Sequence, residues 1–170
     1  SSQALRKLQQ KYPKRKILGI IRPVVECAII RSRMIVGIIG TKRTIDSKAY
    51  LRELAKINPK IKVIQKATPK LVPMIEKGHF DQAVAKNYLK PLLAKKIDAL
   101  ILACTHYPII KKQIRQIVGK KIKVISPDEL LPAKLLVYFK RHPEISKKLS
   151  KRSQVELIVT KPMPHYEKYF

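Results

Sequence analysis

The apolar positions of this chain fall in short runs separated by amphipathic stretches. Runs rich in Ile, Val and Leu at Lys16–Ile21, Met34–Ile39, Ile61–Gln65, Ala99–Ala103, Ile122–Ile125 and Val155–Thr160 predict strands. Nearly continuous apolar runs of this length suit strands buried on both faces of a parallel sheet. The stretches Gln3–Gln10, Val24–Arg31, Ile45–Ile57, Leu71–Lys77, Gln82–Lys95, Ile109–Val118 and Glu129–Lys140 predict helices. This alternation predicts an α/β layered fold with right-handed crossovers. The punctuation agrees. Gly40 follows a strand, and Gly78 and Gly119 follow helices, where a left-handed cap is useful. Asn58-Pro59 stops one helix and His142-Pro143 ends another. The polar, basic stretch Ser146–Ser153 reads as a surface loop.

Composition narrows the class. A chain of 170 residues that is 45% hydrophobic can bury a real core in one or two lobes, which excludes global disorder. No apolar run approaches the ~20 residues needed to cross a bilayer, so no membrane partner is expected. The start, Ser-Ser-Gln-Ala-Leu, lacks the charged and apolar regions of a signal peptide. Cys27 and Cys104 are too few for a disulfide scaffold or a zinc site, and a reducing cytoplasm is the default location. The 38 basic and 11 acidic residues give a formal charge of +27. That charge favours weak, salt-sensitive, non-specific binding of polyanions. The lysines are spread along the whole chain, so an ordinary solvated surface is the preferred explanation.

Candidate chemistry concentrates in three places. In Ile101-Leu102-Ala103-Cys104-Thr105-His106-Tyr107-Pro108 an apolar strand ends on a thiol, a hydroxyl and an imidazole. Ligands of open α/β sheets bind outside the carboxyl ends of strands. A nearby imidazole can take or give the thiol's proton. A lone cysteine would be read as packing, but this combination reads as function. In Gly40-Thr41-Lys42-Arg43-Thr44, followed by Ser47 and Tyr50, a strand runs into a helix start rich in hydroxyls. Such a start can hold a carboxylate or phosphate, although N-capping by Thr44 is the simpler explanation. The spacing is not that of a P-loop. In Leu71-Val72-Pro73-Met74-Ile75-Glu76-Lys77-Gly78, pattern alone places Glu76 on the surface near a helix end. Cys27 sits inside an amphipathic helix, where core packing is favoured. His79, His142 and His165 form no metal-ligand spacing and read as surface residues.

Taken in order, these segments resemble glutamate racemase, in the cofactor-independent aspartate/glutamate racemase superfamily. The matching residues are Gly37–Thr41 through Thr44, Ser47, Ala49 and Tyr50; Leu71–Glu76; Pro91-Leu92; and Leu102–Pro108, with weaker echoes at Gly19–Pro23 and Val159-Thr160. Aspartate racemases usually place an acid where His106 stands, so the chain resembles the glutamate branch. The resemblance implies a two-cysteine mechanism: one cysteine removes the α-proton of glutamate and the other returns a proton to the opposite face. By resemblance Cys104 is the second cysteine, acting on L-glutamate, with His106 assisting as acid/base. Thr44 and Thr105 hold the substrate's carboxylate and amino groups, Thr41 is a weaker candidate for the same role, and Glu76 supports the acid/base chemistry. No metal, pyridoxal phosphate or nucleotide is implied. The product, D-glutamate, supplies peptidoglycan synthesis. The family is often dimeric, which implies a homodimer.

The resemblance also has a gap. The family's N-terminal segment carries an Asp-Ser-Gly start, a Pro-Tyr-Gly loop and the first catalytic cysteine in Cys-Asn-Thr. Ser1–Leu5 matches what lies just after that motif. Cys27 cannot replace the missing thiol, because it falls mid-helix after Pro23. A smaller departure is Ser126-Pro127, where the family more often has an Asp; here Asp128 follows. The expected architecture is therefore α/β, with one complete parallel-sheet lobe at residues 23–125. Residues 1–22 and 126–170 form part of a second, similar lobe, whose exposed apolar face is a liability for solubility. Half of a two-base site implies no racemase activity for the chain alone. The alternative from another class is a non-catalytic descendant that binds RNA, a ribosome or another polyanion.

Overall fold

The computed structural model describes residues 4–32 and 34–150. Its elements in chain order are α1 (Leu5–Lys11), α2 (Ile21–Arg31), β1 (Ile35–Gly40), α3 (Lys42–Asp46), α4 (Ala49–Ile57), β2 (Lys62–Ala67), α5 (Leu71–Glu76), α6 (Gln82–Ala94), β3 (Ala99–Ala103), a 3-10 turn at Tyr107–Ile110, α7 (Lys111–Val118), β4 (Lys123–Ile125), α8 (Pro127–Arg141) and α9 (Pro143–Ser146). The four strands form one parallel sheet in the order β2-β1-β3-β4. The expected strand at Val155–Thr160 lies outside the described residues.

Strand periodicity divides the core between the two faces of the sheet. Val36, Ile38, Ala99, Ile101 and Ala103 pack with Val24, Val25 and Ala28 of α2 and with Tyr50 and Leu54 of α4. Ile39, Leu100 and Leu102 pack with Leu71 and Ile75 of α5, Leu89 and Leu92 of α6, and Ile114 and Val118 of α7. The central strands β1 and β3 are buried on both faces, and this is why they read as unbroken apolar runs. Gly37 admits close packing at the sheet centre: a Cβ there would lie 2.6 Å from Ile97 Cδ1 and 2.9 Å from Leu92 Cδ2. Asp98 closes the opposite edge by accepting from Ser32 Oγ and from the Met34 amide at 2.5 and 2.7 Å. Because all four strands run the same way, the segments after Gly40, Ala67, Ala103 and Ile125 gather along one edge.

Three expected elements differ. Lys16–Ile21 is not a strand; it is irregular up to Ile20, and α2 begins at Ile21. A strand needs a ladder partner, and the segment has none among the described residues. The single helix expected over Ile45–Ile57 is two helices, α3 and α4. Ser47 Oγ donates to Thr44 O at 2.6 Å, and Lys48 takes a left-handed conformation at φ 51°. The helix expected over Ile109–Val118 starts with the 3-10 turn at Tyr107 before becoming α7. Exposed apolar side chains include Leu8, Tyr12 and Leu18 before residue 23, Ile30 near the end of α2, Met34 just before β1, and Leu135, Leu136 and Val137 of α8. Among the described residues no helix is long and apolar enough to cross a membrane.

Candidate active site at the carboxyl ends of the strands

The site is built where the central strands stop. β3 delivers Cys104 at its end, and the chain turns at once, with the Tyr107 amide donating to Cys104 O at 3.3 Å. His106 folds back over this turn, placing Nδ1 3.9 Å from Cys104 Sγ. Its other nitrogen, Nε2, lies 3.3 Å from Glu76 Oε1 at the end of α5. The thiol, imidazole and carboxylate thus form one line of contacts drawn from two elements. Glu76 is partly exposed at the end of α5 but faces this line, which refines the surface position that pattern alone assigned to it.

Burial pushes the Cys104 thiol above its ordinary range, and the negative charge of Glu76 adds to this. The backbone N–H groups of His106 and Tyr107 pull partly the other way. The net effect keeps Cys104 a neutral thiol in the resting site. Burial likewise pushes the Tyr50 phenol well above its ordinary range and keeps it protonated.

β1 supplies the facing side. After Gly40, Thr41 caps α3: its Oγ1 accepts from the Thr44 amide at 3.3 Å and lies 3.0 Å from Thr44 Oγ1. The capping residue is therefore Thr41 rather than Thr44, whose own hydroxyl is left at the start of α3. Thr41, Thr44, Cys104, Thr105 and His106 line one cavity of about 290 Å³, with Pro127 on its wall after β4. Five of the six side chains singled out from sequence reach this cavity, and Glu76 reaches it through His106. Ser126 is buried, and its hydroxyl donates to Asp128. Asp128 in turn pairs with Lys111 at 2.5 Å, away from the thiol. Cys27 packs on α2 against the core, as expected.

Sequence reasoning missed Thr68, which is fully buried behind the cavity. Its hydroxyl donates to Gly40 O at 3.1 Å and contacts the Tyr107 phenol at 2.5 Å. Of the histidines set aside, His79 is exposed. His142 is half-buried against Tyr138, 3.1 Å from Glu144.

Comparison with known proteins places these features in context. The sequence profile of Asp/Glu/hydantoin racemase matches residues 2–131. Glutamate racemase 2 of Caldanaerobacter subterraneus is 40% identical over 129 residues, covering 74% of this chain and 48% of that protein. Glutamate racemase of Geobacter metallireducens is 38% identical over 119 residues, covering 66% of this chain and 44% of that protein. Among solved structures, the Francisella tularensis glutamate racemase in complex with D-glutamate superposes with TM-score 0.74 at 34% identity. That alignment covers 87% of this chain and 55% of the Francisella chain. The chain spans about half the length of the curated relatives it matches.

Proposed function

The chain belongs to the Asp/Glu/hydantoin racemase family, and on that premise we propose that it forms part of a glutamate racemase that moves the α-proton of glutamate without a cofactor. The observation that carries this reading is the line Cys104–His106–Glu76 set against the threonine hydroxyls of the same cavity. An amino acid's Cα–H is a very weak acid, so its removal needs a desolvated base and fixed donors for the charge that develops on the carboxylate. Thr44 and Thr105 hold the carboxylate and amino groups, with Thr41 orienting Thr44. To act on L-glutamate, the Cys104 S–H proton passes to His106 Nδ1, and the thiolate then takes the α-proton. The Glu76 carboxylate steadies the imidazolium that forms. In the reverse direction Cys104 is already protonated and delivers its proton to Cα.

A second thiol must meet the opposite face of Cα. Cys27 packs on α2 against the core and does not line the cavity, so within this reading that thiol comes from polypeptide outside the 170 residues. Residues 23–125 act as one lobe, and residues 1–22 and 126–170 belong to the other. The product, D-glutamate, feeds peptidoglycan synthesis in the cytoplasm, and the working enzyme is a homodimer.

Incubation of the purified chain with L-glutamate in heavy water tests the half-site. No loss of the α-proton signal at an enzyme-like rate is expected. Exchange at such a rate, abolished in Cys104→Ala, would show that these residues suffice. The coding sequence before Ser1 is the companion test: an in-frame Cys-Asn-Thr is expected there, and an unrelated sequence contradicts the two-thiol reading.

A second reading rests on charge. Glu26, Asp46, Glu53, Asp128 and Glu129 all lie in ion pairs, which leaves the large cationic excess uncompensated at the surface. A protein dedicated to RNA would show a steep salt slope and preference for RNA; a weak, unselective slope favours the racemase.

A further inference from the structure

We propose that Thr68 is a positioning residue, whose single hydroxyl locks the Cys104–Tyr107 turn to the Thr41 end of β1 and so holds the two halves of the cavity in register. The assignment rests on the racemase reading only for what is being positioned; the lock itself is a matter of geometry. Thr68 and Tyr107 are both wholly buried. The Thr68 amide and hydroxyl both donate to Gly40 O, at 2.9 and 3.1 Å. With its proton given to Gly40, Thr68 Oγ1 is left as an acceptor, so the Tyr107 phenol donates to it across 2.5 Å. The remaining contact of that phenol, to Thr68 O, is long at 3.5 Å.

Each end of this bridge touches the cavity by one covalent step. Gly40 precedes Thr41, which orients Thr44. The Tyr107 amide donates to Cys104 O at 3.3 Å, and its neighbour His106 holds Nδ1 3.9 Å from Cys104 Sγ. The hydroxyl of Thr68 therefore fixes the turn that presents the thiol and the imidazole, and the carbonyl from which the threonine hook departs. A buried polar bridge of this kind holds one geometry while satisfied, and it leaves a buried phenol short of a partner when cut. Neither partner touches the cavity, and neither has a role in proton transfer.

The test reads the thiol directly and needs no racemase activity, so it stays informative if the substrate assignment fails. Cys104 becomes the sole thiol in a Cys27→Ala chain, and its alkylation by iodoacetamide is followed against pH. The groups facing Cys104 are His106 and Tyr107 on its own turn, Glu76 from α5 and Tyr50 from α4, and none of them is altered by changing Thr68. Thr68→Val keeps the shape and burial but removes the bridge, so the turn that carries the thiol loses its anchor. The half-point of alkylation should rise by about half a pH unit, an approximately threefold slower reaction below it. Thr68→Ser should restore the original profile, and Tyr107→Phe, which cuts the same bond, should reproduce the shift. If Thr68→Val does not fold, Tyr107→Phe carries the same test. A folded Thr68→Val or Tyr107→Phe chain with an unmoved profile overturns the proposal, even where its melting temperature falls.

Discussion

His106 Nε2 lies 3.3 Å from Glu76 Oε1, and this single contact fixes which nitrogen of the ring faces the thiol. A carboxylate accepts but cannot donate, so the neutral ring carries its proton on Nε2 and turns an open lone pair on Nδ1 toward Cys104. Glu76→Ala should therefore turn a single tautomer into a mixture. Nitrogen NMR of the neutral His106 ring reads this directly; an unchanged Nε2–H tautomer in the variant would show that Glu76 does not orient the ring.

The resting state of Cys104 gives a second prediction. Burial, partly offset by the His106 and Tyr107 backbone and slightly reinforced by Glu76, raises its pKa above its ordinary value. A group raised in the folded state adds stability below its unfolded pKa and loses it as pH rises through the folded one. In the Cys27→Ala chain, iodoacetamide should react slowly at pH 8, and stability should fall on the alkaline side. Cys104→Ser, which does not titrate there, should flatten that fall; a curve of unchanged shape contradicts the assignment.

Acid acts elsewhere. Burial pushes Asp128 and Glu129 up, but hydrogen bonds from Lys111 and Ser126 to the first, and from Arg115 and Lys111 to the second, leave both below their ordinary values. Carboxylates depressed in this way stabilise the fold above their unfolded pKa, and the contribution disappears as pH falls through the folded values. The tie between α7 and α8 should therefore weaken below about pH 4. Both carboxylates are more than a third exposed, so the effect should stay below about 1 kcal/mol. Urea titrations of the wild type and Lys111→Met between neutral and acid pH should converge as the acids protonate.

Asp81 caps α6 by accepting from the Ala83 and Val84 amides at 2.8 and 3.1 Å. Asp81→Ala should lower stability by about 1 kcal/mol, and Asp81→Asn should recover most of it. Denaturant midpoints at constant slope give the comparison.

How much of this was legible in the sequence depended on the range of the interactions. β3 was expected at Ala99–Ala103 and stands there, because an apolar run between Asp98 and Cys104 admits no other register. The Cys104 and Thr41 turns were visible as strand ends carrying polar side chains. Lys16–Ile21 was misread because its composition is strand-like, while the ladder it would need is a tertiary fact. The break at Lys48 carries no letter signal, since a lysine at positive φ looks like any other lysine. Glu76 was placed on the surface because helical periodicity cannot tell a carboxylate facing His106 from one facing water. Thr68 was invisible because its partners are 28 and 39 residues away.

The central claim is that these residues supply the Cys104 side of a glutamate racemase site, and a chimera tests it most directly. Residues 2–131 would replace the matched part of the Caldanaerobacter glutamate racemase 2, and formation of D-glutamate from L-glutamate would be measured by chiral chromatography. The account predicts racemisation by the folded chimera, abolished in Cys104→Ala and strongly reduced in His106→Asn. A folded chimera that makes no D-glutamate, or one that is indifferent to the loss of Cys104, contradicts it.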